Sequence, residues 1–153
     1  MPQLSEHFAQ SEFEMDAPVV TEDIQILTEL CLLILEPLRD LSSGAYPITS
    51  GNRPSAVNAA TGGVCDSDHI YSPLHAAADG HPADRTQTRV VFEKACLSQI
   101  PFDQLILEYN KSFPNDVTHA IIHASHRSTP PRRMALIGSE HGASGYTHVA
   151  VAA

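Results

Sequence analysis

The sequence predicts one α+β domain, and three features carry that expectation. One apolar series, Ile24, Leu27, Leu30, Cys31, Ile34, Leu35 and Leu38, repeats with helical spacing. Several short apolar or β-branched runs are bounded by Pro, Gly and Asn turns, as strands are. No internal repeat and no long linker divides the 153 residues, a length usual for a single core.

Taken in order, Leu4 to Phe13 reads as a short lead-in, with Ser5 at a capping position and Ser11 opening a second turn. Thr21, Glu22 and Asp23 supply a cap and an acidic first turn, which predicts a helix over 21–41, kinked or ended near Pro37. Tyr46 to Ser50 reads as a strand, and Ser55 to Ala60 as a short helix stopped by Gly62-Gly63. Val64 to Asp84 has no period but is dense in Asp, His, Pro and Ala. A stretch of that length is expected to carry function rather than merely connect. Gln87 to Phe92 reads as either strand or helix start, and Phe92 to Gln99 as moderately helical. Phe102 to Tyr109 and Val117 to Ser125 read as strands. After Arg127 come Met134 to Gly138, a Gly/Ser segment from Gly138 to Gly145 expected to be a flexible or partner-dependent tail, and Val149 to Val151.

Composition narrows the function. Hydrophobic residues form 42% of the chain and charged residues 18%, enough apolar surface to drive collapse. Nine Lys+Arg oppose 18 Asp+Glu, and a net charge of −9 repels phosphate backbones, so no nucleic-acid partner is expected. Trp is absent, which leaves few platforms for stacking bases. No apolar run approaches the ~20 residues of a membrane span, and no secretory signal is visible at the start. Cys31, Cys65 and Cys96 are odd in number and widely spaced, which argues against a disulfide framework and against Cys-based zinc binding.

Metal, if present, is therefore held by His and carboxylate. Nine histidines gather mainly in two clusters: Asp68-His69 with His75, Asp79 and His81, and His119, His123 and His126. Imidazole and carboxylate suit zinc, which keeps three protein ligands when catalytic. On a strand, His119, His123 and Ser125 share a face while His126 points away; in a helix His119 and His123 also share one, so spacing leaves the element open.

Several segments, in order, carry a family resemblance: Leu4-Ser5-Glu6-His7-Phe8, Leu35-Glu36-Pro37-Leu38-Arg39-Asp40, Ile48-Thr49-Ser50-Gly51-Asn52-Arg53-Pro54, Ser67-Asp68-His69 with Ala76-Ala77-Ala78-Asp79, Phe102 to Glu108, and Ile122-His123-Ala124-Ser125. Across roughly residues 4–127 the chain resembles the zinc D-alanyl-D-alanine carboxypeptidase-like peptidases, especially the short phage and prophage type. That resemblance implies a hedgehog/DD-peptidase-like α+β fold with a small, mainly antiparallel sheet and flanking helices. It implies Zn2+ on His69, Asp79 and His123, with Arg53 binding a substrate carboxylate. Ser67 would bond near the substrate or hold the His69 loop, and Glu108 or His119 would handle the proton. Glu108 is read as sharing a strand face with Phe102, Gln104 and Ile106.

The chain departs from the family pattern twice. His69 and Asp79 are ten positions apart where seven is usual, so either a three-residue bulge closes on one metal or His75 replaces a ligand. Ala120 stands where many relatives carry Glu. The expected activity is zinc-dependent hydrolysis of peptidoglycan stem-peptide bonds, by a D-Ala-type carboxypeptidase or an endopeptidase of phage or prophage origin. Such a protein would reside in the virion, or in the host cytoplasm before lysis. The alternative is a catalytically inactive virion or tail component that keeps the fold and binds other virion or tail proteins.

Overall fold

The computed structural model describes residues 2–60, 67–139 and 145–153. Its frame is a six-stranded sheet of β1 (Ile48–Ser50), β2 (His75–Gly80), β3 (Gln104–Tyr109), β4 (Ile121–Arg127), β5 (Met134–Ser139) and β6 (Tyr146–Val149). The spatial order is β1-β2-β4-β3-β5-β6. Every neighbouring pair is antiparallel except β3–β5. The expected α+β architecture with a mainly antiparallel sheet is thus what the chain forms. Residues beyond Arg127 contribute two strands of that same sheet.

Helices α1 (Ile24–Leu30), α2 (Glu36–Ser42) and α4 (Thr88–Cys96) cover one sheet face, and α3 (Ser55–Ala60) follows β1. Alternation decides which side chains meet them. Ala76, Ala78, Ile122, Ala124, Leu105, Leu107 and Ala135 point to the helices and are almost wholly buried against Leu27, Leu30, Ile34, Leu38 and Phe92. Alanines on β2 let α1 lie close to the sheet, and each buried Leu or Ile opposite contributes about 1.5–3 kcal/mol. His126 is a polar side chain on this face that packs against the helices. Its Nε2 meets Glu29 of α1 at 2.9 Å, and that hydrogen bond, ahead of the opposing effect of burial, holds the Glu29 carboxyl below its usual range.

The predicted helix over 21–41 is continuous but not uniform. A 3-10 turn at Thr21–Asp23 leads into α1, a π turn at Cys31–Leu35 follows, and α2 runs to Ser42. Pro37 does not end it. A proline ring clashes with the carbonyl four residues back and removes one amide donor, and the wider π turn immediately before α2 relieves both. Ser5 caps no helix; its Oγ donates to Glu36 Oε1 at 2.6 Å, and the 3-10 turn runs over Gln10–Phe13.

Other expectations shift in detail. β1 begins at Ile48, because Tyr46 is buried with its ring where a Cβ on Gly80 would sit, 2.6 Å away. β2 lies inside the aperiodic stretch 64–84, where an Ala-rich strand shows no alternation of polarity. Val117–His119 is a 3-10 turn rather than strand, capped by Asp116, so β4 starts only at Ile121. Phe102 precedes β3 and belongs to the helix-side core beneath Arg133, not to the face of Glu108. The Gly62-Gly63 stop and most of the Gly/Ser segment fall on residues 61–66 and 140–144, outside the described residues.

Gly51 shows how tightly the loop after β1 is held. A Cβ there would come within 2.5 Å of the Phe13 backbone, which cannot be moved by a rotamer change. Gly51→Ala is expected to destabilise the chain by about 1–3 kcal/mol, read as a lower urea midpoint at unchanged m value.

Candidate metal centre

The sheet face opposite the helices carries the titratable residues. On β2 and β4 the register sets Asp79 directly across from His123. Directly opposed residues on neighbouring strands share a face, so a carboxylate and an imidazole are brought together by strand pairing alone. His69 arrives from the loop before β2 and completes a triangle. Its Nε2 is 3.0 Å from Asp79 Oδ1 and 3.1 Å from His123 Nδ1, and His123 Nδ1 is 3.0 Å from the same Asp79 oxygen.

The His69 loop is held at both ends. Arg53 N–H donates to His69 O at 2.8 Å, and His69 N–H donates to Ser67 Oγ at 3.2 Å. Tyr71 O–H donates to Ala77 O at 2.7 Å, tying the loop to β2. Alongside, the buried Asp68 carboxylate accepts from Arg127 Nε and Nη2, both at 3.1 Å. Arg127 Nε also lies 3.3 Å from Asp103 Oδ2, and Asp103 is forked by Arg132. Burial pushes the Asp103 carboxyl up, but the hydrogen bonds and charge of Arg132, with Arg127, outweigh it and hold the group low. This chain of ion pairs locks the loop to the ends of β3 and β4.

The tautomer follows from the partners. His69 Nδ1 faces the Gly51 carbonyl at 2.9 Å, and a carbonyl only accepts, so Nδ1 carries the proton. In the neutral ring, Nε2 then presents a lone pair to a carboxylate oxygen and to a second imidazole. One proton bridges only one edge of such a triangle, whereas a cation satisfies all three atoms. A tetrahedral ion with bonds of about 2.0–2.2 Å sets its ligand atoms about 3.3 Å apart, close to the separations here. His69, Asp79 and His123 form the candidate metal-binding group among the described residues, so the chemistry of the donors fits the ion. His69 is 2% exposed and His123 8%, while the Asp79 side chain keeps 16%, so solvent reaches the triangle from the Asp79 side.

The charges agree with this arrangement. Burial alone would raise the Asp79 carboxyl, but the His69 charge and the His123 and His69 hydrogen bonds hold it far below the usual carboxylate range. Burial lowers His123, and the Asp79 hydrogen bond and charge, with help from Glu108 and Asp68, raise it overall above an ordinary imidazole.

The other candidate residues separate clearly. Arg53 is buried with Nη2 3.9 Å from Asp79 Oδ2, directly beside the triangle. Ser67 holds the His69 amide. Glu108 is two positions along β3 from Ile106, which pairs with His123, so it lies on the metal face and its charge reaches His123. His119 is not brought to the triangle. It sits exposed on the 3-10 turn, hydrogen-bonded to Asp116 Oδ2 at 3.0 Å and stacked on Phe113 at 3.9 Å between ring centroids. His75 does not replace a ligand; it opens β2 beside Asp68, and the turn around Ser72 absorbs the extra spacing ahead of Asp79. The network of Asp68, Arg127, Asp103 and Arg132 has no signature along the chain, because ion pairs between distant segments leave no periodic signal.

Two imidazoles and a carboxylate converging on the free face of an α+β sheet match the kind of donor set that catalytic zinc centres use. The family model for Peptidase M15 matches residues 6–116, and the chain belongs to that family of zinc peptidases. Arg53, Ser67, His69, Asp79 and Glu108 lie within the matched stretch, and His123 lies just beyond it. No curated protein and no solved structure matches the chain.

Metal-free and zinc-loaded protein should respond oppositely to pH. In the metal-free chain the raised His123 contributes stability that is complete below about pH 6.5 and is lost as pH rises through its folded value. The depressed Asp79 contributes above about pH 4 and is lost only in strong acid. Zinc requires deprotonated ligands, so the loaded form should gain stability over the same rise from pH 6 to 8. Melting curves with EDTA and with zinc check both slopes; parallel slopes would contradict the shared site.

Proposed function

We propose that this chain is a zinc-dependent peptidase that hydrolyses peptidoglycan stem-peptide bonds, as a D-Ala-type carboxypeptidase or an endopeptidase, and that it is phage or prophage encoded. The observation that carries the reading is the triangle of His69 Nε2, Asp79 Oδ1 and His123 Nδ1. The likeness to short phage-type peptidases supports the assignment of origin.

Bound there, zinc supplies a Lewis acid for the scissile carbonyl and lowers the pKa of water at the site towards ~7. The protein's own residues do the rest. The Gly51 carbonyl and the Ser67 hydroxyl keep His69 in one orientation, which fixes where the reacting groups meet. Arg53 offers a guanidinium fork to a substrate carboxylate, the chemistry with which stem peptides end. Glu108, on the same sheet face as His123, takes the proton from attacking water and returns it to the leaving amine. This gives Glu108 the place that Ala120 leaves empty of a carboxylate, and it removes the need for His119.

Purified protein should carry about one zinc per chain, lost in His69→Ala and His123→Ala. It should release D-alanine or shortened stem peptides from purified sacculi. Glu108→Gln should keep zinc and lose about 10²–10⁴-fold in kcat. Zinc binding without hydrolysis of any wall fragment would favour the alternative, a virion or tail component that keeps the fold, for which the missing Glu at Ala120 speaks.

A further inference from the structure

The metal face does not stop at the triangle. From Asp79 and His123 one cross-strand row continues through Ile106 and Leu136 to His148. The next row on the same face runs Ile121, Glu108, Gly138, Tyr146. Ile106 and Leu136 lie on the side away from the helical core and are each only 5% exposed, so they make a buried apolar floor beside His123 that offers little surface of its own. Tyr146 closes that floor. A Cβ on Gly138 would meet its ring at 2.6 Å from Cδ1 and 3.0 Å from Cε1, so the ring lies over Gly138 and not out past the sheet edge. It nevertheless remains 42% exposed.

Three inter-strand steps of about 4.8 Å separate β4 from β6, roughly 14 Å. With the ring turned back over Gly138, which lies one row along the strands from His123, the gap to the triangle shrinks to roughly 10–12 Å, the span of about three residues of extended peptide. Arg53 stands on the opposite flank, beside Asp79 of β2. A peptide whose carboxylate end meets Arg53 would pass the triangle and run its acyl side across this sheet face, above the buried Ile106 and Leu136, towards the exposed Tyr146 ring.

We propose that Tyr146 is a substrate-positioning residue, the aromatic wall that holds the acyl side of the peptide about three positions from the scissile bond. The inference rests on the peptidase reading above and adds to it a subsite and a direction for the chain. Glycine at 138 is what makes the wall, since any side chain there would push the ring away. Burial first, and then the Glu108 and Asp79 carboxylates, push the Tyr146 phenol up, so it stays a neutral hydrogen-bond donor.

Two probes separate the wall from the metal. Acetohydroxamate reaches only the metal, whereas a phosphinate pseudopeptide replacing a D-alanyl-D-alanine amide, with three residues on its acyl side, also reaches Tyr146. In zinc-loaded Tyr146→Ala, acetohydroxamate affinity should be unchanged and phosphinate affinity about tenfold weaker, with KM raised and kcat little altered. Tyr146→Phe should keep most of the affinity, and Gly138→Ala should reproduce the loss. Wild-type protein that binds both probes while Tyr146→Ala binds both equally well overturns the role of Tyr146 alone. Wild-type protein that holds zinc but binds neither probe overturns this inference together with the peptidase reading.

Discussion

The site depends on one hydrogen bond, from His69 Nδ1 to the Gly51 carbonyl. It decides which imidazole nitrogen is free, and so turns a contact among three side chains into a set of electron-pair donors aimed at one point. Gly51 makes the bond only because its missing Cβ lets the loop press against the Phe13 backbone. The lead-in before the first helix, remote from His69 in sequence, therefore sets the tautomer of a candidate metal ligand through two layers of packing.

The other two members of the triangle come from strand register. Asp79 and His123 are opposed on β2 and β4, and a slip of one residue would send one of them into the helix-side core. That slip is blocked by the other face, where Ala76, Ala78, Ile122 and Ala124 meet the helices. Hydrophobic packing on one side of the sheet thus holds the geometry of the triangle on the other. His126 shows the same logic in reverse, since it points helixward and is accommodated only by Glu29.

Much of this was readable in the chain. The helical period from Ile24 to Leu38 located the long helix, and the apolar, turn-bounded runs Phe102 to Tyr109 and Val117 to Ser125 located the central strands, although the second begins only at Ile121. Density of His and Asp in an aperiodic stretch marked where His69 and Asp79 lie. Less was readable where local pattern and tertiary demand diverge. β2 is nearly all alanine on the core side and has no polar alternation to betray it. His119 sits in a β-branched run, but Asp116 caps a 3-10 turn there and draws the imidazole to itself. Pro37 signals a helix break that the preceding π turn absorbs.

By itself the sequence determined the α+β class, the sign of the surface charge, and a pool of imidazoles and carboxylates without cysteine ligands, because composition and periodicity are local properties of the chain. Only the tertiary structure decided that Asp79, and not His75, joins His69 and His123. It also decided that His119 stays outside and that Tyr146 shares the sheet face of the triangle. Each of those outcomes turns on strand register and loop closure between residues tens of positions apart, and no pattern along one segment encodes a distance across a sheet.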